Sequence, residues 1–179
     1  MREKTLKITA TAIFTALAYA TMLFIKFKVA GFLTFDVKDV VISIAAMFFG
    51  PVTGIIISVI VPLLEMFTVS DTGPYGFIMN ALASLAFVLP VSVVYKYKKS
   101  IPAAVAGLSA SVFSMTAIML LANLIITPRY FGIDVDEVIK MIPKILLPFN
   151  IIKALINAGL ILILLQPLSS AIKQNQALS

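Results

Sequence analysis

Six apolar runs, each closed off by charge, glycine or proline, divide this chain at roughly 5–25, 38–49, 52–69, 75–95, 101–127 and 144–166. That pattern leaves few folds open. A bilayer-spanning helix takes about 20 consecutive apolar residues, and five of the six runs are at or near that length. Apolar residues make up 61% of the 179 and charged residues only 12%, against about 45–50% and about 25% in a soluble domain. A soluble fold of this size has no interior large enough for so much apolar surface, so lipid must solvate part of it. The runs predict one transmembrane domain over 1–179, an all-α integral membrane protein built as a compact bundle of six transmembrane helices. No linker, repeat or low-complexity tract interrupts it.

The second run is too short to cross a bilayer unaided. Gly50-Pro51 separates it from the third, with glycine ending one helix and proline opening the next; a single kinked span from 38 to 69 is the alternative. Charge decides between them. Arg2, Lys4 and Lys7 precede the first run, Lys96, Lys98 and Lys99 follow the fourth, and both clusters favour the cytoplasm. An even number of crossings lies between them, so 38–49 and 52–69 count separately. Two more crossings return the tail, with Lys173, to the cytoplasmic side. The protein is thus expected to be multi-pass with both termini cytoplasmic. The other basic residues (Lys26, Lys28, Lys38, Arg129, Lys140, Lys144 and Lys153) are interleaved with Asp36, Asp39, Asp71, Asp134, Asp136 and Glu137 and read as local pairs. The N-terminal run has the outline of a signal peptide, with Ala18-Tyr19-Ala20 as a small-x-small site. Thr9, Thr11 and Thr15 make a poor signal core, and the run continues to Ile25, so a retained first helix is expected. Between Pro128 and Pro143 lies the only extended polar connection, where Asp134 to Met141 would form a short interfacial helix.

Cysteine and histidine are both absent, which removes thiol nucleophiles, disulfides, zinc and haem sites and the usual general base. No phosphate cradle, paired-carboxylate metal motif or nucleophile elbow is present. The expectation is no enzyme, no metal and no cofactor. The net charge of +6 does not point to nucleic acid, because the basic residues gather at the ends of apolar runs, where they set topology.

Polar groups inside the runs are the informative ones. Asn80, Asn123, Asn150 and Lys153 fall at similar depth toward the outer side. Asn150, Lys153 and Asn157 share a helix face by their three- and four-residue spacing. At that depth they should point inward. One reading makes these amides interhelical glue, with Lys153 snorkelling to the surface. The other makes them the wall of an outward-facing pocket for a largely neutral, hydrogen-bonding ligand. Phe32, Phe35, Tyr75, Phe77 and Tyr130 would then supply aromatic surface for a flat ring system. Glu65 either pairs with a pocket amine or sits at the outer interface. Along the first helix Ala12, Ala16 and Ala20 stack small side chains on one face, for packing within the bundle or for docking another membrane subunit.

Three stretches carry a resemblance: Leu33-Thr34-Phe35-Asp36-Val37-Lys38-Asp39-Val40, Phe49-Gly50-Pro51-Val52-Thr53-Gly54 and Pro148-Phe149-Asn150-Ile151-Ile152-Lys153. Together they resemble the riboflavin-binding S components, the substrate-capture subunits of energy-coupling factor (ECF) vitamin transporters. The likeness runs over nearly the whole chain, including Asp71, Asn80, and Asn123 ahead of Pro128. It implies the six-helix S-component fold in a prokaryotic plasma membrane, and high-affinity capture of riboflavin from outside for an ATP-driven importer. It also implies partnership with a transmembrane T component and two cytoplasmic ATPases. By the family pattern Asn123, Asn150, Lys153, Leu33, Thr34, Asp71 and Asn80 would bind the flavin, as transported ligand rather than cofactor. Ala12, Ala16 and Ala20 would face the T component. The rival readings are an S component for another vitamin, and a small membrane scaffold or channel subunit.

Overall fold

The computed structural model describes residues 2–30 and 33–177. In chain order it contains α1 (Arg2–Phe24), β1 (Lys26–Ala30), β2 (Leu33–Asp36), α2 (Lys38–Phe49), α3 (Pro51–Thr68), α4 (Gly73–Tyr97) and α5 (Ile101–Phe131). A short α6 (Val135–Met141), one π turn (Ile142–Leu146) and α7 (Leu147–Ala177) complete it. Five stretches are long and apolar enough to cross a membrane: Lys4–Phe24, Pro51–Thr68, Gly73–Tyr97, Ile101–Phe131 and Val135–Pro167. Large apolar side chains point out of the bundle, Phe67, Phe113 and Ile163 among them at 76%, 78% and 70% exposure. Water would penalise such a surface and lipid does not.

The sixth helix, α2, is the exception. Twelve residues rise only about 18 Å, well short of a hydrocarbon core of about 30 Å. Nine of the twelve are buried, because α1, α3, α4 and α7 surround it. It ends at Gly50, whose φ of 104° suits glycine and whose N–H donates to the Ala46 carbonyl at 2.9 Å. Pro51 then opens α3 at a position where a missing N–H costs nothing. The returning α3 comes very close: a Cβ on Gly54 would lie 2.7 Å from the Ala46 Cβ and 2.8 Å from Val88 Cγ1. Only glycine lets α2, α3 and α4 converge there.

The segment between α1 and α2 forms an antiparallel hairpin, which the sequence reading did not contain. Lys26 lies opposite Asp36, Phe27 opposite Phe35 and Lys28 opposite Thr34. The alternation Lys26-Phe27-Lys28-Val29 is a period-two signal, but it is too short to stand out beside long helical runs. A second correction concerns the stretch from 128 to 143. Pro128 costs α5 a hydrogen bond without ending it; the helix continues to Phe131 and stops at Gly132, left-handed at φ 66°. Pro143 cannot donate either, and there the helical register widens to the π turn that joins α6 to α7. The irregular connection shrinks to the residues around Ile133.

Among the described residues three apolar clusters hold the helices, the smallest joining Leu33 of β2 to Val138 of α6 and Leu146 of the π turn. Of the other two, one packs Phe87, Val91 and Tyr95 of α4 against Leu108 and Met115 of α5, Ile44 and Met47 of α2, and Ile161 and Leu165 of α7. The other joins Ala18 of α1 to Ile42 and Ala46 of α2, Ile57 and Val61 of α3, and Val88 of α4.

Candidate functional site

At the hairpin end of the bundle opens a cavity of about 870 Å³, near the upper end of the range for small-molecule sites. The hairpin contributes Phe27, Leu33 and Thr34, α4 contributes Tyr75 and Asn80, and α5 contributes Met119, Thr127 and Tyr130. Phe149, Asn150 and Lys153 come from the start of α7. Its walls are ring-rich. Phe27 stacks on Phe35 with centroids 5.1 Å apart, and Tyr75 meets Tyr130 at 5.5 Å. Of the aromatics named from sequence, Tyr75 and Tyr130 line the cavity; Phe35 is buried behind Phe27, and Phe77 is not part of the wall. Phe32 lies outside the described residues. Phe27, Phe131 and Phe149 were missed. Phe149 was within reach of sequence reading, since it directly precedes Asn150.

Asn150 and Lys153 are 2% and 4% exposed and both face the cavity. Asn150 donates to the Leu146 carbonyl, inside the π turn, at 2.7 Å. The Lys153 ammonium donates to Asp36 Oδ2 at 2.9 Å and lies 3.5 Å from the Thr34 carbonyl. The same Asp36 oxygen accepts from Lys38 at 2.9 Å, and Lys38 lies 3.9 Å from Glu65. Glu65 in turn accepts from Lys26 at 2.8 Å and from Asn80 at 3.0 Å. Asp39, the next residue along α2, accepts from Ser84 at 2.5 Å. One connected ion network therefore ties the hairpin to α2, α3, α4 and α7. Glu65 pairs with amines beside the cavity and is only 4% exposed.

Burial alone would push the Asp36 carboxyl up. The attraction of Lys153 and Lys38, reinforced by their hydrogen bonds, overcomes it and holds the carboxyl well below the usual carboxylate range. A carboxyl depressed on folding contributes stability that is present above its unfolded value of about 3.9 and lost only as pH falls through the folded value. The Asp36 carboxyl that joins β2 to α7 is therefore ionised throughout the neutral range.

The remaining residues singled out from sequence fall in three places. Leu33 and Thr34 line the cavity. Asp71 sits at its mouth, exposed, and accepts from Lys28 at 2.8 Å. That hydrogen bond, with the attraction behind it, lowers the Asp71 carboxyl and raises the Lys28 amine, but an exposed pair of this kind adds little stability. Asn123 is fully buried and does not line the cavity. Its amide donates to the Met119 carbonyl at 2.7 Å and its oxygen accepts from Thr127 at 2.9 Å, all within α5. Asn157, one turn beyond Lys153, is fully buried with no protein partner on either amide atom.

A second groove, of about 900 Å³, runs between α1 and α3. Ala12 and Ala16 lie exposed along it, beside Thr11, Thr15 and Tyr19; Ala20 is half-buried and lies just beyond the lining. Lys7, Gly50 and Lys96 share one end of this groove, so the two basic clusters that flank the first four runs lie at the same end of the bundle.

Comparison with known proteins places these features in context. The family model described as "ECF transporter, substrate-specific component" matches residues 6–169. The riboflavin transporter RibU of Staphylococcus aureus (strain TCH60) is 31% identical over 170 residues, covering 89% of this chain and 88% of that protein. The riboflavin transporter FmnP of Bacillus subtilis (strain 168) is 26% identical over 179 residues, covering 92% and 94%. A solved structure of the S component of a bacterial ECF transporter superposes with a TM-score of 0.81 at 27% identity, covering 95% of this chain and 99% of that one.

Proposed function

Because this chain belongs to the family of ECF transporter substrate-specific components, we propose that the substrate it captures, in the cavity walled by the hairpin and α7, is riboflavin. Substrate binding for an ECF transporter is the family's role, and the chain is a multi-pass membrane protein. The observation that carries the ligand assignment is the pairing of a ring-rich cavity with two buried donors, Asn150 and Lys153, one turn apart on one face. A flavin has a flat apolar body and a polar edge of carbonyls and ring nitrogens, which that arrangement matches. Both named relatives are riboflavin transporters.

In this reading Asn150 and Lys153 donate to the polar edge of the ring, while Leu33 and Thr34 close over it from the hairpin. Asn80 and Asp71 stand at the mouth, near the ribityl chain. Asn123 reaches the ligand by giving up one of its two bonds within α5. The vitamin is cargo, so the chain needs no cofactor and performs no covalent chemistry. Energy comes from a T component and two cytoplasmic ATPases, with Ala12, Ala16 and Ala20 docking the T component. The setting is a prokaryotic plasma membrane with both termini cytoplasmic.

The purified chain alone should bind riboflavin and quench its fluorescence, without ATP. A folded chain that gives no quenching at micromolar vitamin would end the riboflavin assignment. Orientation has its own check. Cysteine is absent, so single cysteines can be introduced cleanly. One at Asp134 should react with an impermeant reagent from outside intact cells, and one at Lys98 should not. The reverse labelling would invert the bundle and put the cavity on the wrong side for uptake.

A further inference from the structure

The groove between α1 and α3 has two unlike ends. At one, Lys7 of α1 and Lys96 of α4 line it beside Gly50. Both lysines are exposed, as are Lys98 and Lys99 directly after them on the chain. Among the described residues that line the groove, none is acidic. At the other end the Tyr19 hydroxyl donates to Thr68 at 2.7 Å and bridges α1 to α3. Between the two ends the exposed wall is apolar, with Ile8, Val52, Ile56 and Ile60 beside the small Ala12 and Ala16.

Its length matches one leaflet. From Lys7 to Tyr19 the helix α1 rises about 18 Å, a little more than the roughly 15 Å of hydrocarbon in half a bilayer. An acyl chain can therefore lie along the groove while its head stays at the lysine end. Shape alone would accept the chain of any phospholipid, so the choice among heads falls to charge. A head with a net negative phosphate meets two ammonium groups and no carboxylate, in a place partly shielded from water, where attraction is stronger than in bulk. A zwitterionic head brings its own ammonium and loses most of that attraction. Basic pockets between transmembrane helices at headgroup depth recognise anionic lipids on this principle.

We propose that the α1–α3 groove is a binding site for an anionic phospholipid, its phosphate held by Lys7 and Lys96 and one acyl chain lying along Ala12, Ala16, Ile56 and Ile60. Neither the riboflavin reading nor the orientation of the chain is needed for this. A T component that docks on Ala12 and Ala16 takes the lipid's place, so release of the lipid belongs to the docking step.

The chain contains no tryptophan, so a single one placed in the groove reports on what lies against it. Ile56→Trp is put into phosphatidylcholine vesicles that carry a minor fraction of lipid with brominated acyl chains, which quench an indole on contact. Brominated phosphatidylglycerol should quench it more than brominated phosphatidylcholine, with a preference of roughly fivefold for each lysine. Lys96→Gln in that background should lower the preference by about the same factor, and high salt should weaken it. Phe113→Trp, exposed on α5 and outside the groove, should be quenched nearly alike by the two lipids.

Equal quenching at Ile56→Trp would overturn the proposal, since the groove would then make no choice of head. The same excess at Phe113→Trp would overturn it too, by showing a diffuse lipid atmosphere around a cationic chain. So would an excess that survives Lys7→Gln combined with Lys96→Gln. Should Ile56→Trp fail to fold by its melting curve, native mass spectrometry decides on the delipidated wild-type chain and Lys96→Gln, each given equal amounts of phosphatidylglycerol and phosphatidylcholine. Phosphatidylglycerol kept by wild type and lost by Lys96→Gln supports the site, and any other pattern overturns it.

Discussion

Ala16→Trp should abolish riboflavin uptake by cells carrying the complete transporter, while the isolated chain keeps near wild-type riboflavin affinity. Ala16 is exposed in the α1–α3 groove, whose lining also includes Thr15, Ile56 and Ile60. A small residue there lets a partner helix approach backbone to backbone, and an indole would fill that space and hold the partner off. Ala16 is exposed and does not line the cavity, so enlarging it displaces no buried side chain and leaves the binding wall untouched. Uptake assays and fluorescence titrations on the same variant separate capture from docking. Loss of both activities together would show that the groove is needed for the fold itself, and the docking role would have to be given up.

Comparable in size is the expected effect of removing the two buried donors. In the proposed complex Lys153→Ala and Asn150→Ala would each take one partner from a buried hydrogen bond to ligand, at about 1–3 kcal/mol. That is roughly a 5- to 150-fold loss of riboflavin affinity for each change. The double variant should fall short of the summed loss, since both residues serve one ligand edge. Stability without ligand should separate the two. Lys153→Ala removes one of the two amines on Asp36, so the melting temperature falls. Breaking a buried pair outright costs about 3–5 kcal/mol, but here Lys38 stays on the carboxylate and the loss belongs below that range. Asn150→Ala gives up only its bond to the Leu146 carbonyl and should shift melting less. Melting curves and titrations on these variants would contradict a binding role if stability dropped and affinity stayed at wild type.

Much of this was legible in the sequence, for identifiable reasons. Gly50-Pro51 marks the break between α2 and α3 because each residue has one use there, a positive φ and a missing donor. Asn150 and Lys153 could be paired by helical spacing alone. The hairpin could not be found that way, since its two strands are five and four residues long and lie between strong helical signals. Asp36 stayed hidden for a different reason. Its partner Lys153 is 117 positions away, and no local pattern predicts which side chains a fold brings together over that distance. Asn123 shows the opposite limit. Its depth suggests a ligand contact, but no pattern in the sequence shows that its oxygen already accepts from Thr127, one turn further along α5, a bond it would exchange for the ligand.

The half-length α2 also bears on the membrane as an electrical insulator. Its twelve residues end in a plug, not a pore, because the space below the ion network is filled by Phe87, Val91, Leu108, Ile161 and Leu165, all at 2% exposure or less. The network's amines and carboxylates gather at the hairpin end, and from Ser84 to Tyr95 along α4 the packed region extends about 16 Å. An ion crossing that distance would shed its hydration among hydrocarbon side chains. A membrane can therefore carry many copies of this chain without letting its potential run down.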